Sequence, residues 1–185
     1  MRDLVTSSVQ RRKCRLPELL AELEASPRNG SRWFRAALAD AEAGARSVAE
    51  ADALRALTDG KVPRFEMNVP VQNERGELIF VVDVLWRELR AVLEIDSREY
   101  HLGERARLKT MDKHNALTGH NFAVIHHAPS VVRQPGWAKD IGAWVRARSL
   151  QLGIEVPLGH GALAPPPGQE PPPVIVRGLR RPPDR

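Results

Sequence analysis

Apolar and polar positions change period along this chain, and each change marks an element. Two short helical patterns come first, Leu16 to Ala25 with Pro17 suited to a first turn, and Ser31 to Ala41 with Ser31 as cap, parted by the breaker SPRNG. A third helix starts at Ser47, where Ser47 and Glu50 make an S-x-x-E capping box, and runs through Leu57 to a stop at Asp59-Gly60. The pattern then becomes that of extended chain: Arg64 to Val71, a turn from Asn73 to Glu77, and two apolar runs, Leu78 to Trp86 and Arg90 to Ser97. A helix from Glu104 to Leu117 follows, then a strand from Phe122 to His127. Last comes an amphipathic helix from Gly136 to Leu150 carrying Trp137, Ile141, Trp144 and Val145. The order helix, three strands, helix, strand, helix predicts an α/β domain over residues 44–152 with a mixed four-stranded sheet flanked by helices. Residues 1–43 read as a helical extension or the remnant of a linker. Residues 153–185 read as a tail: eight of the fifteen prolines lie between Pro165 and Pro183, a composition expected to be extended or disordered and to build no core.

Three carboxylates interrupt the two apolar runs where Val or Ile would be ordinary: Asp83 in LIFVVDVLW, and Glu94 and Asp96 in RAVLEIDS. Burying an ionised carboxylate costs several kcal/mol unless a cation or hydrogen-bond donors meet it, so three on adjacent strands suggest a common partner. Glu94 and Asp96 project from one face, roughly 7 Å apart along the strand. A hairpin through Trp86 to Leu89 brings Asp83 beside Glu94. Hard oxygen ligands at that spacing suit Mg²⁺ or Mn²⁺ better than zinc, with Asp83, Glu94 and Asp96 as the metal ligands. The competing reading is a hairpin whose acids point into water. Glu50 also has two readings, since its place on the apolar stripe with Leu54 and Leu57 allows either helix capping alone or support of the ion from behind its ligands.

At 185 residues the chain can bury one core of ordinary size, and its net charge of +5 favours an acidic partner, nucleic acid first. Arg105, Arg107, Lys109, Lys113 and His114 gather on one predicted helix, as a nucleic-acid contact or as a solvated face. The single cysteine, Cys14, excludes an internal disulfide and a cysteine-rich zinc site and fits a reducing cytoplasm. No run is long and apolar enough to span a membrane, and the start has no apolar signal-peptide core. Neither a G-x-S-x-G elbow nor a Gly-rich phosphate loop is present.

The succession GARSVAEADALRAL, VVDVLW, LEIDSREYH, DKHNALTGH and NFAVIHH resembles the PD-(D/E)XK nuclease superfamily over about Gly44 to Ser130, and most of all a bacterial branch related to the very-short-patch-repair endonuclease. The resemblance implies a restriction-endonuclease-like fold and metal-dependent phosphodiester hydrolysis, of DNA before RNA. On it, Asp83 and Glu94 match the metal-binding acids and Glu50 the glutamate of the first helix. Asp96 stands where the motif has lysine, which removes the usual positive charge beside the attacking water. Two substitutes are open: Asp96 as a further metal ligand, or His101 as general base, the latter weighed against a merely exposed loop histidine. Lys109 and Lys113 are candidates to stabilise the charged phosphorane from the helix. The resemblance also admits a catalytically weak or inactive nucleic-acid-binding module like those of abortive-infection antitoxins. A third reading is a homodimer joined through Trp33, Phe34, Trp137 and Trp144.

Overall fold

The computed structural model describes residues 14–25, 31–42, 45–96, 104–156, 159–163, 165 and 169–180, with the backbone alone for residues 104–107. Three helices, α1 (Leu16–Ala25), α2 (Arg32–Glu42) and α3 (Val48–Asp59), precede a meander of β1 (Glu66–Asn73), β2 (Leu78–Trp86) and β3 (Ala91–Ile95). Then come α4 (Glu104–Gly119), β4 (Ala123–His127), the short α5 (Pro129–Val132), α6 (Trp137–Leu152) and β5 (Val174–Val176). The sheet order is β4-β3-β2-β1-β5; β1, β2 and β3 pair antiparallel, while β4 joins β3 and β5 joins β1 in parallel. The α/β class and mixed sheet agree with the sequence pattern, but the sheet has five strands rather than four.

The fifth strand corrects the reading of the tail. Val174–Val176 pairs with Val71–Asn73, and Val176 and Leu179 are buried against Val69, Val71 and Val82. Arg87 anchors the approach, donating to the carbonyls of Pro172 (2.6 Å) and Pro173 (3.3 Å) while gripping Glu66 with two nitrogens at 2.8 and 2.6 Å. Pro-rich chain lacks donors of its own, and here the arginine side chain supplies them to its carbonyls. β5 covers β1 only from Val71 onward, which leaves Pro70, with no N–H to give, outside the parallel ladder.

Two cores sandwich the sheet. One packs Ala53, Leu54 and Leu57 of α3 and Ile141 and Val145 of α6 against Val84, Trp86, Leu93 and Ile95. Trp86 lies at its centre between Phe65 and Trp144, its indole N–H on the Pro63 carbonyl at 3.0 Å. The other packs Leu117 of α4 and Phe122 against Val69, Val82, Leu85 and Val92. The first two helices keep a separate small core of Leu23, Ala37 and Leu38, and an ion pair from Asp40 of α2 to Arg55 ties them to α3. Of the aromatics considered for a homodimer, Trp137 is buried and Trp144 packs on the first core, so neither is a free contact; Phe34 leans on the small core and Trp33 is exposed.

Candidate active site

Antiparallel pairing of β2 with β3 runs from Trp86↔Ala91 to Val84↔Leu93 and stops where Asp83 meets Glu94. Backbone groups freed by that parting still need partners in a buried sheet, and side chains supply them. The Ile95 N–H donates to Asp83 Oδ2 at 2.7 Å, and Lys113 Nζ, reaching across from α4, donates to the Val81 carbonyl at 2.6 Å and to Glu94 Oε2 at 2.5 Å. Asp83 and Glu94 thus take facing positions where the β2–β3 ladder ends, each held by a different donor.

The chemistry of this point is set by poor solvation. Glu94 is 5 % exposed, and among the described residues its second oxygen, Oε1, accepts no hydrogen bond. Burial raises its pKa against the opposing pull of Lys113. Asp83 is pushed up to about 7, first by burial and next by the charge of Glu94; Lys113 and the Ile95 N–H offset only part of this, and Glu50 adds a further upward push. The charge of Glu94 thus bears on Asp83 and that of Asp96 on Glu94, while Lys113 pulls both of the first two down.

Asp96 does not join them. His126 Nδ1 meets its Oδ2 at 2.9 Å, and His126 Nε2 in turn lies 3.1 Å from His114 Nδ1, a row that ends on α4. The Asp96 carboxylate raises the pKa of His126, while burial lowers that of the neighbouring His127, whose Nδ1 accepts from the Trp137 indole at 3.1 Å. The common partner expected for Asp83, Glu94 and Asp96 is therefore replaced by three separate ones: a backbone N–H, a lysine and a histidine. Among the described residues no three His, Cys, Asp or Glu side chains converge as a ready metal cage.

Glu50 both caps its helix and faces the sheet. Ser47 Oγ caps α3 by accepting the Glu50 N–H at 3.1 Å, and Glu50 Oε2 accepts the Arg46 N–H at 2.8 Å. The same oxygen accepts from Asn68 Nδ2 of β1 at 2.6 Å, so the carboxylate faces the sheet as well. His101 lies outside the described residues, as do the side chains of Arg105 and Arg107. Lys109 is exposed, but Lys113 and His114 turn toward the sheet, so these basic residues do not form one solvated face. Sequence reasoning missed Asn68 and His126. An amide in a run of strand formers, and a histidine in the strand parallel to Glu94, were the signals available.

As a cation site the pair is sparse but chemically apt. Mg²⁺ takes one or two carboxylates and keeps its remaining positions for water or phosphate oxygens, and Glu94 Oε1, which has no hydrogen-bond partner among the described residues, fits that donor set. Comparison of the chain with protein families, with curated proteins and with solved structures found no match.

Proposed function

We propose that this protein is a metal-dependent nuclease that hydrolyses phosphodiester bonds, DNA before RNA, at the opening between β2 and β3. The observation that carries the reading is the buried Oε1 of Glu94, without a hydrogen-bond partner among the described residues, on a carboxylate whose charge acts on Asp83; such an oxygen costs stability and a divalent cation would relieve it. The resemblance to PD-(D/E)XK nucleases supports the same two residues. Asp83 and Glu94 would hold Mg²⁺ or Mn²⁺, which when bound polarises a phosphate oxygen and lowers the pKa of water.

The chain's own groups do the rest. Lys113 supplies, from α4, the positive charge that Asp96 cannot, and its ammonium lies within 2.5 Å of Glu94, where charge builds on a phosphate under attack. Lys109 precedes it by one helical turn on the same stripe and is exposed, suited to the next phosphate of a polyanion. Asp96, bonded to His126, orients that ring and serves as a positioning residue.

The test is digestion of plasmid and of DNA and RNA oligonucleotides with Mg²⁺ or Mn²⁺. Cleavage is expected to require the ion, to stop with EDTA and to be lost in Asp83→Ala; cleavage that survives either treatment rejects the reading. A second reading is favoured by the Lys113–Glu94 ion pair, which already neutralises one ligand: a nucleic-acid-binding regulatory module without turnover. Salt-sensitive binding of DNA with no product under any ion selects it.

A further inference from the structure

Asn68 combines burial, a left-handed backbone and a hydrogen bond to a site carboxylate. It is 5 % exposed and has φ of 52° in the middle of β1. Register is kept on both sides, Met67↔Val84 and Val69↔Val82, so no residue is inserted, and Asn68 falls opposite Asp83. Yet Met67 packs into the core under α3 while Val69 packs into the core under α4, so the inward face of β1 changes sides at Asn68. Alternation alone would put both residues on one face.

Residues with a Cβ avoid this backbone; asparagine tolerates it, and glycine would adopt it without strain but bring no amide. Strain of this kind persists where the surroundings over-determine it, and it clusters at functional sites. Here the twist aims Nδ2 at Glu50 Oε2, 2.6 Å away, an oxygen already bonded to the Arg46 N–H. A carboxylate oxygen bonded to a backbone N–H is acting as an acceptor, so the amide nitrogen is the atom that faces it.

We propose that Asn68 is a positioning residue of the Asp83–Glu94 site: its left-handed backbone turns its amide onto Glu50 and clamps that third carboxylate toward Asp83, strengthening the hold on a divalent cation. This rests on the reading of Asp83 and Glu94 as a cation site. A purely structural Asn68 would affect melting and leave cation affinity alone. Asn68→Gly separates the two roles because it accepts the backbone and deletes the amide.

The experiment measures Mn²⁺ binding by electron paramagnetic resonance on the full chain without nucleic acid, with thermal melting alongside, for wild type, Asn68→Gly, Glu50→Gln and the double variant. Asn68→Gly is expected to melt close to wild type and to bind Mn²⁺ on the order of tenfold more weakly. Glu50→Gln is expected to weaken binding similarly, and adding Asn68→Gly to it to change nothing further, because both act through one contact. Wild-type affinity in Asn68→Gly, or losses that add in the double variant, overturns the proposal. Should Asn68→Gly fail to fold, Asn68→Asp, which tolerates the same backbone but cannot donate to Glu50, takes its place: undiminished affinity there, or in Glu50→Gln, overturns the proposal. A wild-type chain that binds no Mn²⁺ removes the cation reading and this proposal with it, whereas wild-type binding matched by Asn68→Gly removes the proposal only.

Discussion

Asp83 keeps its proton to about pH 7 because burial withholds water from its carboxylate and Glu94 adds a like charge. Between its ordinary value of 3.8 and about 7, the native state therefore holds a proton that the unfolded chain has released. Stability falls as pH rises across that window. His126 acts in the same direction, since its folded pKa is raised and the stabilisation it gives below its ordinary value of 6.5 is lost as pH climbs through the raised one. Asp83→Asn, which keeps an oxygen for the Ile95 N–H, should raise metal-free melting at both pH 5 and pH 8.5, and by on the order of 5 °C more at pH 8.5, because most of the window lies above pH 5. Equal shifts at both values would show that Asp83 is not the titrating group. Lys113→Ala should destabilise the metal-free chain by about 3 kcal/mol in urea, because it strands Glu94 and the Val81 carbonyl together. The acids were legible in sequence because charge in an apolar run violates a strong rule. Their partners were not: Lys113, His126 and the Ile95 N–H lie far along the chain or on the backbone, and only the folded register selects among them.

At the level of elements, periodicity located α1 to α4, α6 and the first four strands with ends displaced by a few residues at most, since each is long enough to show its repeat. β5 escaped because three apolar residues in a Pro-rich stretch show no repeat, and because its partner is remote in sequence. The bend of β1 at Asn68 escaped because alternation assumes ordinary strand backbone, and nothing in EMNVPVQN declares a positive φ. A structural role for the tail can be measured directly. Leu179→Ala should cost about 2–3 kcal/mol by urea denaturation, as for a well-packed leucine, since Leu179 is 4 % exposed. A change under half a kcal/mol would mean that the tail rests on the domain without belonging to it. Arg87→Ala tests the anchor from the other side: it frees the carbonyls of Pro172 and Pro173 and leaves buried Glu66 uncompensated. Protease cleavage between residues 159 and 180 should accelerate in that variant at temperatures where the wild type resists.

On the proposed reading, the excess of five positive charges would attract polyanions over the whole molecule, and exposed Lys109 on α4 is the contact that can be tested. Lys109→Ala should weaken DNA binding equally for unrelated sequences and lower the slope of log affinity against log salt by about 1; an unchanged slope would place the nucleic acid elsewhere. Parallel pairing of β5 with β1 also bears on how the polypeptide is born. About a hundred residues separate the two, so at ribosomal speed the flank of β1 waits roughly 5–20 s for its neighbour to emerge. Throughout that interval Val71 and its neighbours present an open ribbon to any other nascent chain, a hazard that chaperone capture or slow, cool expression would relieve.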